Sequence, residues 1–200
     1  MKKLLLIGIL LLSLSCKGQF ETSELKNNFT SEQIKDLKKM TSFFQNQICE
    51  TKNSDFESCF SEILPDLVNN GWFPILNKVN FKEQQELYNS ISPSTFNEIW
   101  EFGKMTIPKT GEEFKSLGSR YNGKYQKFVT EVGMKNPKIK EYSERLIASG
   151  DFETMGLLQS WVYHNPEYFD LNNPNIQLII SIHYLTQNDQ QKRTDKWDSE

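Results

Sequence analysis

The chain has few of the residues that most often carry enzyme chemistry. Its 200 residues include only 2 histidines and 3 cysteines. The sequence contains no Gly-x-Ser-x-Gly nucleophile elbow and no glycine-rich phosphate-binding loop. Neither Cys49 nor Cys59 belongs to a Cys-x-x-Cys pair or has a histidine nearby, which is the spacing that zinc sites favour. The sequence therefore predicts no metal and no other cofactor.

An excess of positive charge is also lacking. The 23 Lys and Arg residues face 26 Asp and Glu residues, for a net charge of −3. Nucleic-acid binding requires a concentrated basic face, and attraction to anionic lipid headgroups depends on basic clusters. We therefore expect no nucleic-acid partner and no membrane binding by surface charge alone.

No apolar run is long enough to cross a membrane. The longest one, Leu4–Leu14, has 11 residues and is interrupted by Gly8 and Ser13, whereas a spanning helix needs about 20. Lys2 and Lys3 precede this run, and small residues follow it. A basic start, a short apolar run and a small-residue end are typical of a secretory signal peptide, so residues 1–15 are predicted to be removed on export.

The end of this segment, Ser13-Leu14-Ser15-Cys16, resembles the lipobox of bacterial lipoprotein precursors. The resemblance implies that the Cys16 thiol is acylated and that Cys16 becomes the first mature residue, anchored to the membrane through its lipid. Ser15 and Cys16 fit the family pattern, while Ser13 and Leu14 stand in each other's preferred places. Ser13 and Ser15 also fit ordinary signal cleavage at the same bond, which would leave Cys16 unacylated. Lys17 follows where inner-membrane lipoproteins carry aspartate, so the resemblance implies the outer membrane, with its face left open.

The number of cysteines is odd, which leaves one thiol over in an exported protein. If Cys16 carries a lipid, Cys49 and Cys59 remain as a pair, and oxidising compartments allow such pairs to persist as disulfides. We therefore predict a Cys49–Cys59 disulfide. The alternative is two buried, reduced cysteines.

The 185 residues that remain after cleavage suit a single domain. Residues 16–29 are polar and are predicted to be a lipidated N-terminus and flexible tether. Residues 30–187 are predicted to form one globular all-α domain of seven or eight helices. Residues 188–200 are predicted to be a polar C-terminal tail.

The helical prediction depends on repeated start signals ahead of apolar residues at helical spacing. Thr30 with Gln33 has the capping-box pattern. No window shows strand alternation bounded by a hairpin signal. The predicted helix starts are Thr30, Ser54, Asn80, Ser92-Pro93, Thr110, Asn136-Pro137, Asp151 and Asn173-Pro174.

Trp72 and Phe73 are candidate contacts with a partner. They are adjacent in a stretch flanked by Gly71 and Pro74, and adjacent residues do not face the same way in regular structure. We expect one of the two rings to be exposed and available to anchor a partner, although core packing is the commoner role of such residues.

The two histidines are predicted to have different surroundings. His183 lies seven residues after Ile176, on the apolar face of the last predicted helix, and is expected to be a hydrogen-bonded core residue. His164 precedes Glu167, which we expect to reach it across a turn. His164 and Glu167 are therefore candidate ligand or partner contacts, although the charge preference of a helix C-terminus alone explains a histidine there.

Export, anchoring and the lack of catalytic motifs together predict a non-enzymatic binding or adaptor protein of the cell envelope. Its partner would be an envelope protein or a small ligand, and a narrower version is an immunity-type inhibitor of a toxin. Two alternatives stay open. One is an envelope hydrolase with a site around His164 and nearby carboxylates, and the other is a structural envelope component.

Overall fold

The computed structural model describes residues 20–51, 54–152 and 156–197. The predicted signal peptide and Cys16 lie outside the described residues. The described part is mostly helical, with one two-stranded antiparallel hairpin. Its elements are α1 (Ser23–Asn28), α2 (Ser31–Ile48), α3 (Phe56–Asn70), α4 (Phe73–Lys78), α5 (Phe81–Ser90), α6 (Pro93–Ile99), β1 (Trp100–Thr106), β2 (Glu113–Ser119), α7 (Lys124–Gly133), α8 (Pro137–Ser149), α9 (Leu157–His164), a 3₁₀ turn (Pro166–Tyr168) and α10 (Pro174–Lys192).

Helix α10 is the central element of the domain. Its residues are buried almost without interruption from Asn175 to Asp189, and it packs against α2, α4, α5 and β2. A helix that is covered on all sides belongs to the interior of a protein. The other helices therefore surround α10 and form one apolar core around it.

Most of the predicted helix starts are confirmed. Thr30 and Gln33 form a complete capping box at the start of α2, and the side chains of Asn80, Ser92, Asn136 and Asn173 cap α5, α6, α8 and α10. The α3 cap is Asp55 rather than the predicted Ser54, because the Asp55 carboxylate accepts a hydrogen bond from the Ser58 backbone N–H at 2.7 Å. Helix α9 begins after Gly156 and not at the predicted Asp151.

The helix predicted to begin at Thr110 is wrong in its first half. That stretch forms β2, which pairs with β1 so that Trp100 lies opposite Ser119 and Thr106 opposite Glu113. The all-α prediction therefore holds only as a mostly helical fold. The helical half begins as α7 behind Gly123, where a Cβ atom would lie 2.5 Å from the Glu98 carbonyl oxygen.

The predicted tether is shorter than expected. Phe20, Leu25 and Phe29 are all buried in the core, and Thr22 caps α1. The Thr22 hydroxyl also donates to Asn175 Oδ1 at 2.6 Å, which ties this segment to the start of α10. Residues 20–29 therefore belong to the domain, because their apolar side chains fill its core, and residues 16–19 lie outside the described part.

The predicted C-terminal tail is also largely ordered. Helix α10 continues to Lys192, and Asn188 and Asp189 are completely buried. The Lys192 ammonium group donates to the carbonyl oxygens of Leu76 and Val79 at 2.6 and 2.7 Å. These interactions satisfy polar groups at the end of α4, so a polar sequence here forms part of the packed domain.

The predicted disulfide is confirmed. Cys49 ends α2 and Cys59 lies in α3, with their α-carbons 4.9 Å apart. The bond joins the first two long helices of the domain. None of the helices in the described residues combines the length and apolar content needed to cross a bilayer.

Candidate functional site

A groove of about 630 Å³ opens between α5, α6 and β1, and we call it the groove below. Its size lies within the range of ligand pockets, about 300–1,000 Å³. Residues of three kinds line it. They are the aromatic residues Tyr88, Phe96 and Phe102, the amide residues Gln85, Asn89 and Asn97, and Arg193 at the end of α10, with Ile91 and Pro93 beside them.

The aromatic residues form one continuous wall. The Phe96 ring lies 5.4 Å from the Tyr88 ring and 5.9 Å from the Phe102 ring, measured between centroids. Behind them Trp100 is fully buried, 5.1 Å from Tyr88 and 5.2 Å from Phe96. Trp100 Nε1 donates to Thr186 Oγ1 of α10 at 2.7 Å. The wall is therefore held in place by the central helix.

The guanidinium group of Arg193 lies beside this wall with its charge already balanced. It forms two hydrogen bonds with the Asp189 carboxylate, at 2.8 and 2.7 Å, and an ion pair with Asp195. It also lies 4.8 Å from the centroid of the Phe102 ring, within cation–π distance. Because two carboxylates face one cation, the groove does not require an anionic ligand.

Burial and pairing act in opposite directions on the pKa values of this ion pair. Burial raises the pKa of Asp189, and the Arg193 charge offsets part of that rise. Burial alone would lower the pKa of Arg193, but its bonds with Asp189 and Asp195 raise it above the ordinary value. Arg193 is therefore charged at every physiological pH and serves to hold the end of α10 against β1.

The three amide side chains of the groove are free of hydrogen bonds within the described part of the chain. Gln85 is half-buried, and Asn89 and Asn97 are exposed. Gln84, their neighbour on α5, differs because its amide bonds to Tyr88 Oη at 2.6 Å, to the Leu185 carbonyl at 2.7 Å and to Asn188 at 2.7 Å. The Gln84 amide is thus fully hydrogen-bonded inside the protein, whereas the three groove amides keep their donors and acceptors available for a ligand.

The groove is better suited to binding than to catalysis. Its tyrosine hydroxyl, that of Tyr88, is turned inward to Gln84, and burial raises the pKa of that hydroxyl well above its ordinary value. The lining residues include no serine, cysteine or histidine, so no nucleophile and base are paired there. Within residues 20–51, 54–152 and 156–197, no group of His, Cys, Asp and Glu residues is arranged to hold a metal ion.

Trp72 and Phe73 lie outside the groove lining. Their rings are stacked with centroids 6.2 Å apart, Trp72 is buried, and Phe73 is 61% exposed. One exposed ring was expected, and the structure identifies it as Phe73. Its role in binding a partner stays a prediction.

His164 and Glu167 are both exposed, and no hydrogen bond or ion pair joins them in the described structure. The expected contact across the turn is therefore not made. The His164 ring instead meets the edge of Tyr163 at 5.1 Å between centroids. Without a carboxylate bonded to its imidazole, His164 has no partner to orient it for acid–base chemistry.

His183 is a buried core residue, as predicted. Its Nδ1 lies 3.2 Å from Tyr142 Oη, and its Nε2 lies 2.9 Å from Gln187 Nε2. Burial lowers the pKa of His183 to about 3, so the imidazole is neutral in the folded protein near pH 7.

The residues of the groove were missed in the sequence because they come from three differently predicted segments. The start of α5 was predicted correctly, no strand was predicted at β1, and Arg193 was assigned to the tail. The one available signal was the run of polar residues on α5, which includes Gln84, Gln85 and Asn89.

No protein-family model, no curated protein and no solved structure matches the chain. The function of the groove is therefore inferred from its geometry.

Proposed function

We propose that the protein is a non-enzymatic binding or adaptor protein of the cell envelope, anchored by a lipid on Cys16, and that it holds its ligand or partner in the groove. The observation that best supports this function is the set of three free amide side chains, Gln85, Asn89 and Asn97, beside an aromatic wall. Aromatic faces bind apolar groups, and amides fix the orientation of polar ones.

The anchor fixes which end of the central helix lies near the membrane. Thr22 is bonded to Asn175 at the start of α10, and Arg193 follows 18 positions later at its end. With a helical rise of 1.5 Å per residue, the two ends of α10 lie about 27 Å apart. Cys16 lies four positions before Phe20, a reach of about 14 Å at most. A lipid on Cys16 would therefore hold the start of α10 near the bilayer and its end away from it.

Site-specific crosslinking in intact cells tests the binding site. A photoreactive amino acid replaces Asn97 in the groove, and in a matched control it replaces Lys140, which is exposed on α8. We expect one envelope partner to be crosslinked from position 97 and not from position 140. Equal crosslinking from both positions, or none from position 97, would contradict the proposed site.

Mass spectrometry of the mature protein tests the anchor separately. We expect an N-terminal acylated Cys16, and we expect Cys16→Ser to leave the protein unacylated and outside the membrane fraction. An unmodified Cys16 would point to ordinary signal cleavage and would have no bearing on binding in the groove.

The immunity-type inhibitor is a narrower form of this proposal, in which the crosslinked partner is a toxin. No observation favours the envelope hydrolase, because His164 and Glu167 are exposed and not bonded to each other. The structural alternative predicts that groove substitutions have no effect on partner capture.

A further inference from the structure

We propose that the free edge of β1 takes up an extended peptide segment of the partner as an additional strand. The segment would carry an apolar residue and an acidic residue two positions apart, with the apolar side chain packed into the groove. This inference depends on the proposed binding function and specifies the partner's chemistry.

Among the described residues, only one edge of the hairpin is covered by backbone pairing. The Lys115 backbone N–H donates to the Asp195 carbonyl at 2.9 Å, and the Trp197 N–H donates to the Glu113 carbonyl at 3.0 Å. The C-terminal segment thus pairs with the outer edge of β2 as a short third strand. These bonds also show that the backbone groups of Glu113 and Lys115 point away from β1.

The register then fixes which groups of β1 point outward. In an antiparallel pair, the residues opposite each other either both bond across the ladder or both point away from it. Lys104 lies opposite Lys115, and Thr106 lies opposite Glu113. Phe102, opposite Leu117, is two positions before Lys104, so its backbone groups point in the same direction. The backbone N–H and C=O of Phe102, Lys104 and Thr106 therefore face outward.

These outward groups are unoccupied within the described residues. No backbone or side-chain hydrogen bond reaches them, and every residue from Phe102 to Thr106 is exposed. A row of unpaired strand groups is the site at which β-augmentation adds a peptide.

The free edge and the groove are continuous at Phe102. Its backbone belongs to the outward row, and its side chain lines the groove. Residues directly opposite each other in a sheet project to the same face. A peptide residue paired with Phe102 would therefore send its side chain to the face on which the groove opens, where the wall offers an apolar contact.

The charge of Lys104 determines which peptide residue is favoured opposite it. Lys104 and Lys115 lie directly opposite each other on the face that also carries Phe102. Glu113 pairs with Lys104 at 3.0 Å, and Lys115 has no ion pair within the described structure. Asp195 lies opposite Lys115 on its other side, so the charges of the face are balanced overall. A peptide residue paired with Lys104 would lie directly opposite its ammonium group, so an acidic residue is favoured there and a basic one is repelled. Lys104 also discourages unselective pairing, which is a common role of lysine on edge strands.

Selection from a displayed library of random eight-residue peptides tests this inference against the full mature protein in detergent. Antiparallel addition places the peptide residue opposite Lys104 two positions before the one opposite Phe102, so we expect enrichment of the pattern acidic-x-apolar. The defined probe is a capped Thr-Thr-Thr-Glu-Thr-Phe-Thr-Thr peptide, with binding measured by calorimetry. Its matched controls are the same peptide with Glu replaced by Lys and one with Phe and Glu adjacent, and both are expected to bind at least about tenfold more weakly.

Variants of β1 separate strand addition from simple side-chain contact. Lys104→Pro removes one outward N–H without removing a bond to β2, and proline is tolerated on strand edges. Because proline also removes the Lys104 charge, Lys104→Ala is its matched control, and we expect Lys104→Pro to bind the probe at least about tenfold more weakly than Lys104→Ala while thermal unfolding is retained. Met105→Ala, on the opposite face, is a second control and should bind normally. Lys104→Glu should prefer the Lys-containing peptide, which keeps the inference testable if the proline variant misfolds.

Hydrogen exchange supplies the structural readout. Bound probe should slow exchange of the Phe102, Lys104 and Thr106 amides and leave unchanged the amides of Glu101, Gly103 and Met105, which face β2. No enrichment of the pattern, equal binding to Lys104→Pro and Lys104→Ala, or enrichment of a ligand that leaves the outward amides unprotected would overturn the inference. If position 97 still crosslinks a partner that Lys104→Pro retains, the groove function stands and strand addition is wrong.

Discussion

His183 links the interior of the protein to the pH of its surroundings. In an unfolded chain a histidine titrates near pH 6.5, whereas burial lowers the pKa of His183 to about 3. Between these values the unfolded chain binds a proton that the folded chain does not. The free energy of unfolding therefore falls as pH falls, by up to about 4–5 kcal/mol between pH 6.5 and about pH 3.

The decrease in unfolding free energy between about pH 7 and about pH 5 should therefore depend on His183. His183→Gln should flatten the decrease in unfolding free energy between about pH 7 and about pH 5, although the substitution itself costs stability through altered packing. This window lies above the range in which Glu24 contributes, because the hydrogen bonds of Glu24 outweigh its desolvation and lower its pKa from 4.5 to about 2. Urea unfolding at several pH values measures the slope, with His164→Gln, an exposed histidine, as the control. An unchanged slope in His183→Gln would show that other groups set it.

The disulfide joins α2 and α3, the first two long helices of the domain. It closes a loop of 10 residues in sequence separation, for which the chain-entropy model gives about 2–3 kcal/mol. Replacing Cys49 and Cys59 together by serine should lower the free energy of unfolding by about that amount. Urea unfolding of the double variant, compared with the native and the reduced native protein, measures this loss. A reduced native protein as stable as the oxidised one would contradict the expectation.

The elements differ in how far their sequence determines them. Helices with a local start signal, such as Thr30 with Gln33 or Asn136 with Pro137, were predictable because the cap and the apolar spacing lie in one segment. Strand β1 was not, because Trp100 is its only buried residue and exposed strand residues leave no alternation to read. Its pairing is fixed by contacts distant in sequence, above all the Trp100–Thr186 bond.

The candidate site was hidden for the same reason. The groove amides on α5 lie on a helix that was predicted correctly, but the wall also needs Phe102 of β1 and the position of Arg193. Arg193 follows a polar stretch, and its burial depends on Asp189, whose charge is tolerated inside only because the guanidinium group pairs with it. Such mutual dependence cannot be read from either residue alone.

At the scale of the whole molecule, the packed N-terminal segment changes the expected relation to the membrane. With residues 20–29 folded onto the domain, only residues 16–19 separate the predicted lipid from Phe20. Such a short connection restricts the orientations of the domain far more than the predicted 14-residue tether would. The end that carries α1 should therefore stay close to the bilayer.

Energy transfer to a headgroup-attached acceptor should detect this orientation. A donor dye on Lys26→Cys, in exposed α1, should transfer efficiently, and a donor on Gln191→Cys, exposed near the end of α10, should transfer less, because Gln191 follows Asn175 by 16 positions, about 24 Å along the helix. Lys26 is a suitable labelling position because its ion pair with Glu21, at 3.4 Å, is on the surface and contributes little to stability. The protein is reconstituted with its lipid anchor, and Cys16→Ser protein mixed with the same vesicles is the control, expected to transfer from neither position. Equal transfer from positions 26 and 191 in the anchored protein would mean that the domain lies on its side or rotates freely, and the end of α10 would then not be held away from the membrane.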